Sequence, residues 1–415
     1  MKELFLKNPS YLRLWIAQVI SEIGDGITKT LIIFLVATLT QDPFMIGIVV
    51  FAQLLPGALF GSILGPIVDR FSKRNILVLM DLYRMGIVLL MIVFSDQAWL
   101  LILLIVLQGL GTALFEPARA ASIPFLVDQE KIPQAVGLSQ GTRQAMMIIG
   151  PAIAGLLLFI SNTDIIFVID AITYIVSAVV LFTITKLGGK ASPEAGGESY
   201  LSSLKSGVVA IGEVPALRFL IVLLIPVTIA AGVLSTNISA MFLQAFDVPA
   251  QEFGYLQATV GAGAVLGSLL APKLLKRLRP GIMLLASTGL IGAWMIVVLS
   301  LTQFQSDFGT FPIYVWACVV GFLNAMLNVP LSSLFLSITP QQFLGRGAAI
   351  FQSTVNFGMM GGILAGGYFA GLTDTIVTTA WTGVIMVVMI FIFPLFKGFK
   401  TLSDVGKEEK NPEVA

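Results

Sequence analysis

Twelve long apolar runs constrain the fold of this chain more than any other feature. A helix needs about 20 apolar residues to cross the hydrocarbon core of a bilayer. Of the 415 residues, 57% are hydrophobic and only 11% are charged, whereas an average soluble domain is about 25% charged. We therefore predict an all-α membrane protein with twelve transmembrane helices, here called spans 1 to 12. They lie near residues 13–39, 44–68, 75–94, 98–125, 134–159, 165–186, 216–244, 253–272, 281–303, 312–338, 347–370 and 377–397.

The loops between the spans differ in charge. Loops after even-numbered spans and both chain ends carry Lys and Arg, and cytoplasmic loops of membrane proteins show this excess. We therefore predict a multi-pass plasma-membrane protein with both termini in the cytoplasm. The loops after odd-numbered spans hold no Lys or Arg; their charged residues are Asp42, Asp96, Asp164, Asp247, Glu252, Asp307 and Asp374.

The two halves of the chain resemble each other. "GSILGP" at 61–66 matches "GSLLAP" at 267–272, and "SQGTRQAMMIIGPAIAG" at 139–155 matches "FQSTVNFGMMGGILAGG" at 351–367. A duplicated six-helix unit is typical of secondary transporters, which bind substrate near the membrane midplane. We predict two pseudo-symmetric six-helix bundles, 1–188 and 215–400, a cytoplasmic linker at 189–214 and a cytoplasmic tail at 401–415.

Composition argues against several classes of protein. There is no histidine and one cysteine, Cys318, so neither a metal site nor a disulfide within the chain is predicted. The net charge of +1 gives no reason to expect nucleic acid as a partner. No soluble segment is long enough for a catalytic domain. We predict a transporter rather than an enzyme, without a cofactor.

Span 1 carries a stripe of charge. Glu22, Asp25 and Lys29 are spaced by three and four residues, which places them on one face of a helix. A charge at the bilayer centre costs at least about 2.5–3.5 kcal/mol. This face is therefore expected to meet water or partners on other helices, and Lys29 is expected to pair with Asp25.

Other charges interrupt spans 3 to 6 and are candidate partners for this face. Asp81 and Arg84 lie nearer the cytoplasmic end of span 3. Glu116 and Arg119 share a face of span 4, where Arg119 or Arg143 of span 5 is expected to pair with Glu116, and Asp170 lies in span 6. The second half offers amides, aromatics and Met instead. We therefore predict that the first half carries proton coupling, through carboxylates that bind and release protons, and that the second half gives an apolar, adaptable wall for substrate. Static ion pairs are the alternative interpretation.

The loop after span 2 contains a recognisable motif. It reads "GPIVDRFSKRN" and resembles the cytoplasmic signature of the major facilitator superfamily. The resemblance implies a latch at the cytoplasmic side, in which the acid meets a helix N-terminus or an Arg. The matching loop of the second half has Leu275 in place of the acid. The motif residues are Gly65, Asp69, Arg70, Lys73 and Arg74.

Span 5 contains Gly150-Pro151 with Gly155, which resembles the Gly-Pro motif of the drug-antiporter branch of that superfamily. Small residues permit close helix approach and proline bends a helix. The sequence departs from the branch at two places. Met146 stands where the motif has a further Gly, and Ile105 stands where span 4 has an Arg.

The whole chain is similar to macrolide efflux proteins of that branch. The stretches "NPSYLRLWIAQVISEIGDG", "GTALFEPARAASIPFLV", "SYLSSLKSGVVAIGEVPALRFLI" and "LGRGAAIFQSTVNFG" carry the likeness. It implies the major facilitator fold and a monomer that exports amphipathic compounds by proton antiport with alternating access, in contact with membrane lipid. A lysophospholipid or siderophore transporter of the same fold, without proton coupling, is the alternative.

Overall fold

The computed structural model describes residues 2–60, 71–187, 215–275, 277–278, 280–339 and 344–396. These residues form α-helices joined by short turns, with no strand among them. In chain order the helices are α1 (Lys2–Lys7), α2 (Pro9–Thr40), α3 (Pro43–Phe60), α4 (Lys73–Val93), α5 (Ala98–Ser122), α6 (Ile132–Ile160), α7 (Thr163–Phe182), α8 (Pro215–Ala240), α9 (Ala250–Leu275), α10 (Pro280–Ile296), α11 (Val298–Phe308), α12 (Phe311–Ile338), α13 (Leu344–Leu372) and α14 (Thr375–Ile392).

The helix ends follow local sequence signals. α2 ends at Thr40, and the next residue, Gln41, has a left-handed φ of 51°. Pro43 then starts α3. The side chain of Asn162 caps α7 by accepting a hydrogen bond from the Ile165 amide, and Asp374 caps α14 in the same way. These caps satisfy amides that have no partner inside the helix.

Ten of the described helical segments are long and apolar enough to cross a membrane. An eleventh candidate is a bent pair, because Gly281–Ile296 and Val298–Phe308 meet at 52°. The span predicted at 281–303 therefore falls on two helices, α10 and α11, with a bend between them. The charged helix α2 is 32 residues long but is not in this set of candidates.

The described helices belong to two compact units. The first contains α1, α2, α4 to α7, most of α3 and the start of α9; the second contains the remaining helices, with residues Asp42–Gly47 at the start of α3. Within the first unit, α2 packs on α6 and α7, and α4 packs on α5 and α7. Within the second, α8 packs on α13 and α14, and α10 packs on α12 and α14.

The helices of the two units pack in the same pattern. In the second unit, the places of α2, α4, α5, α6 and α7 are taken by α8, α10, α12, α13 and α14. A matched glycine pair supports the correspondence, because the sequence repeat aligns Gly150 with Gly362. Gly150 of α6 meets Gly26 of α2, and Gly362 of α13 meets the backbone of Ile229 of α8. Each unit therefore packs its first long helix against the same glycine position, as expected for a duplicated unit.

Candidate functional site

The charged face of α2 meets partners from three other helices of the first unit. Asp25 is only 8% exposed. Its Oδ2 lies 3.2 Å from Nη1 of Arg84 on α4, and its Oδ1 accepts a short hydrogen bond from the Tyr174 hydroxyl on α7. Gln108 of α5 donates to the same hydroxyl at 2.7 Å and to Asp25 Oδ1 at 3.4 Å. We call Asp25, Asp81, Arg84, Gln108 and Tyr174 the Asp25 cluster.

Arg84 is the centre of the Asp25 cluster. It is 1% exposed, and its Nη2 lies 2.5 Å from Asp81 Oδ1. Its guanidinium also lies over two aromatic rings, 4.4 Å from the centroid of Phe115 and 4.6 Å from that of Tyr174. Such stacking suits a guanidinium, which is planar and weakly hydrated. One buried cation therefore serves two carboxylates.

Sequence analysis noted Asp81 and Arg84 in span 3 as candidate partners but did not place them among the site residues. Their spacing of three places both on one face of α4 inside an apolar helix, which was a usable signal. The predicted Asp25–Lys29 pair is wrong, because Arg84 takes that place from α4. The ammonium of Lys29 forms no ion pair within the described part of the chain.

A second ionic group lies about two turns earlier along α2, beside Gln18. Glu116 Oε2 is 2.6 Å from Nη2 of Arg119 and is also in close contact with Nη2 of Arg143. The expected pairing of Glu116 therefore occurs with both arginines. Arg119 donates a short hydrogen bond to Ser139 Oγ, and Ser139 donates to Gln18 Oε1 at 2.8 Å. We call Gln18, Glu116, Arg119, Ser139 and Arg143 the Glu116 cluster.

Glu22 lies between these two clusters and is only half-buried. Gln18 donates to its Oε1 at 2.8 Å. The other oxygen, Oε2, is buried and accepts no hydrogen bond from any described residue. An unpaired buried carboxylate oxygen is costly, so Glu22 differs from Asp25, both of whose carboxylate oxygens have partners.

The Asp170 side chain completes the set of predicted charges. It is 0% exposed, accepts a short hydrogen bond from the Thr28 hydroxyl and accepts another at 3.1 Å from Thr173. No Lys or Arg forms an ion pair with it within the described ranges.

The glycines of the span 5 motif permit close helix contacts. A Cβ built at Gly150 would lie 2.7 Å from the Cα of Gly26 on α2, and Gly155 lies directly against Gly254 of α9. Real Cβ atoms almost never approach so closely. The motif therefore holds α6 against α2, which carries Glu22 and Asp25.

We expect Gly150→Ala to destabilise the protein by about 1–3 kcal/mol, because the added methyl group overpacks the α2–α6 contact. Gly141 of the same helix is the matched control, since nothing lies within 4 Å of a Cβ at that position. Gly141→Ala should stabilise by about 0.5–1 kcal/mol through the lower entropy of the unfolded chain. Unfolding in mixed SDS–detergent micelles measures both, and equal shifts would contradict the close contact.

The cytoplasmic motif is described only in part. Gly65, Asp69 and Arg70 lie outside the described residues, so the proposed latch acid is not seen. Lys73 and Arg74 begin α4. The Lys73 ammonium lies 5.3 Å from the ring centroid of Phe125, and the Arg74 guanidinium lies 5.3 Å from that of Phe182.

The second unit differs in its polar groups. Its described residues include no buried charged side chain. Instead, exposed amides form pairs one turn apart, with Asn328 donating to Asn324 Oδ1 at 2.6 Å and Gln352 donating to Asn356 Oδ1 at 3.0 Å. No group of acids or cysteines able to hold a metal ion occurs among the described residues.

Comparisons with known proteins agree with a transport function. A family model described as "Transmembrane secretion effector" matches residues 5–413. Macrolide efflux protein A of Streptococcus pyogenes is 22% identical over 405 residues, which cover 94% of this chain and 97% of that protein. Enterobactin exporter EntS of Escherichia coli O1:K1 / APEC is 24% identical over 387 residues, which cover 89% of this chain and 88% of that protein.

Solved structures of transporters share the fold. The nucleoside transporter NupG superposes with a TM-score of 0.71 at 17% identity and covers 93% of this chain and 98% of its own. The POT family transporter PepTSo superposes with the same TM-score of 0.71 at 14% identity, covering 95% of this chain and 98% of its own. At these identities the likeness shows the fold alone.

Proposed function

The chain belongs to the transmembrane secretion effector family of the major facilitator superfamily, and from that premise we propose that it exports amphipathic compounds in exchange for protons by alternating access. It is a multi-pass membrane transporter rather than an enzyme. Its cargo class and its coupling to protons are the new part of the proposal.

One observation carries the proposal, the polar interior of the first unit. Asp25, Asp81 and Arg84 are buried together in the interior of the first unit. Buried ion pairs are often no more stabilising than well-packed apolar side chains, so stability alone gives little reason to keep them. Ionisable groups inside membrane helices commonly form proton pathways. Loss or gain of one proton changes which carboxylate balances Arg84.

Glu22 is proposed as the contact for the cargo or the proton. Its Oε2 is unpartnered and its side chain is half-buried, whereas Asp25 has three partners. A cationic amphipathic compound would satisfy this carboxylate. Within the second unit, the exposed amides of Asn328 and Gln352 add hydrogen-bonding groups to the apolar residues that the sequence suggested for substrate.

The membrane topology is also part of the proposal. We propose twelve crossings, made by the ten candidate spans, the bent pair α10–α11 and the charged helix α2. We propose two six-helix bundles, 1–188 and 215–400, with both termini in the cytoplasm of a bacterium and a monomeric working form. The charge difference between the loops supports this orientation.

A siderophore is the second candidate cargo, and the similarity to the enterobactin exporter EntS supports it. The two cargo classes differ in charge under physiological conditions. Arg119 and Arg143 of the Glu116 cluster could balance an anionic compound, whereas Glu22 suits a cationic one. Competition between an anionic siderophore and a cationic macrolide therefore separates them.

Transport into inverted membrane vesicles tests the proposal. We expect radiolabelled erythromycin, a macrolide, to accumulate when the vesicle interior is acidic, and an uncoupler to abolish the accumulation. A pH difference of one unit stores about 1.4 kcal/mol, which supports an accumulation of about tenfold for one proton exchanged. Vesicles without the protein are the control.

The outcomes are distinct. Uptake that persists at full extent with the uncoupler would refute proton exchange. Uptake of a radiolabelled siderophore without uptake of erythromycin would replace the cargo class but keep the coupling.

A further inference from the structure

The contact between α2 and α7 encloses a carboxyl group that the Asp25 cluster does not use. Asp170 of α7 is 0% exposed and lies against Gly24 of α2. A Cβ at Gly24 would overlap both Asp170 Oδ1 and Thr173 Oγ1. Glycine at this position therefore makes room for the carboxyl group in an otherwise closed seam.

Among the described residues, the hydrogen-bond partners of the Asp170 carboxyl group are hydroxyl groups. Thr28 of α2 donates to Oδ2 through a short hydrogen bond, and Thr173 donates to Oδ1 at 3.1 Å. The other titratable groups facing this seam are Asp25 on α2, Arg84 on α4 and Tyr174 on α7. Arg84 already pairs with Asp25 and Asp81, so its single positive charge does not balance a third carboxylate.

Hydroxyl partners suit a group that changes its protonation. A hydroxyl can donate to a carboxylate and can also accept from a carboxylic acid, so both forms keep a hydrogen bond in place. A partner in an ion pair cannot keep a hydrogen bond to both forms of the carboxyl group. An ionised carboxylate without a cation in a dry interior costs several kcal/mol, which ties loss of the proton to the entry of water or to a change in the packing of α2 on α7.

We propose that Asp170 is a proton-binding site of this transporter, and that its proton occupancy controls the contact between α2 and α7. The proton comes from water on the acidic side and bonds to a carboxylate oxygen. It leaves to water on the other side after the seam opens. This inference rests on the proposed proton exchange and deepens it, because it joins the protonated group to the helix that carries Glu22 and Asp25.

Asp170→Asn tests the proposal, since asparagine has the size of the neutral carboxyl group and cannot release a proton. We expect the variant to keep erythromycin counterflow, an exchange that needs no net proton movement. Its accumulation under a one-unit pH difference should fall from about tenfold to about onefold. Asp164→Asn is the matched control, because Asp164 is an exposed acid in the first turn of the same helix.

A second variant keeps the proposal testable in the event that Asp170→Asn fails to fold. Thr28→Val keeps the side-chain volume but removes the hydroxyl that donates to Asp170. A hydrogen bond to a charged group contributes roughly 1.5–3 kcal/mol, so the upper pH limit of transport should move to higher pH by about one unit or more. A purely structural threonine would change the yield of protein without moving this limit.

The outcomes separate the two proposals. If erythromycin accumulation by the wild-type protein ignores the uncoupler, the proposed proton exchange fails. If the wild type is coupled but Asp170→Asn accumulates erythromycin with the wild-type pH dependence, only the assignment of Asp170 is overturned. An unchanged pH limit in Thr28→Val would also overturn it.

Discussion

Asp25→Asn is expected to abolish uphill transport and to leave the protein folded. Asparagine keeps the side-chain volume and can still accept the hydrogen bond from Tyr174, but it carries no charge and releases no proton. Arg84 keeps its ion pair with Asp81 at 2.5 Å, so no buried cation loses all its partners. Erythromycin accumulation under a one-unit pH difference should fall from about tenfold to about onefold.

Asp96→Asn is the control for this result, because Asp96 is an exposed acid in the turn after α4. It should transport at the wild-type rate. Purified Asp25→Asn should elute as a single species on size exclusion, which separates loss of coupling from loss of fold. Tenfold accumulation by Asp25→Asn would show that Asp25 has no part in coupling.

Arg84→Met is expected to destabilise the protein more than any other single substitution of the Asp25 cluster. It removes the one guanidinium that pairs with Asp25 and Asp81, which are 8% and 0% exposed. Breaking a buried ion pair by removing one partner typically costs 3–5 kcal/mol, because the remaining charge is uncompensated. Unfolding in mixed SDS–detergent micelles measures the loss.

Two variants identify the cause of this loss. Arg13→Met is the control, since Arg13 is exposed and donates only to the Thr183 carbonyl at 3.1 Å; its stability should change by less than about 0.5 kcal/mol. The triple variant Asp25→Asn/Asp81→Asn/Arg84→Met carries no buried charge in this cluster and should recover most of the lost stability without recovering uphill transport. Equal stability of Arg84→Met and wild type would refute the ionic description of the cluster.

The sequence located both halves of the Glu116 contacts but only one half of the contact of Asp25. The three-and-four spacing of Glu22, Asp25 and Lys29 indicated one charged face on α2, and the cost of charge in lipid required partners for it. It could not identify those partners, since a helical period gives the face of one helix and not the neighbour that the face meets. Lys29 was the nearest cation along the chain, but Arg84, 59 residues away, pairs with Asp25.

The absence of an arginine at Ile105 shows the same limit. Sequence comparison with the drug-antiporter branch left span 4 without its expected cation. Ile105 is buried in α5. The guanidinium that pairs with Asp25 belongs to Arg84 of α4, and α4 packs on both α5 and α7. Gln108 and Tyr174 were also missed, because isolated polar residues in apolar helices have many structural uses.

The sequence by itself determined the membrane-spanning helical class, the repeat between the two halves and the restriction of charges deep within the spans to the first half. The first and the third follow from the cost of placing polar groups or unpaired backbone in hydrocarbon, and the second follows from matching stretches of sequence. Only the tertiary structure decided which cation balances Asp25, that α10 and α11 are separate helices, and that Asp170 lies in the α2–α7 seam against Gly24. These features depend on contacts between residues distant in the chain, whose geometry is set by helix packing and not by the spacing of residues along any one helix.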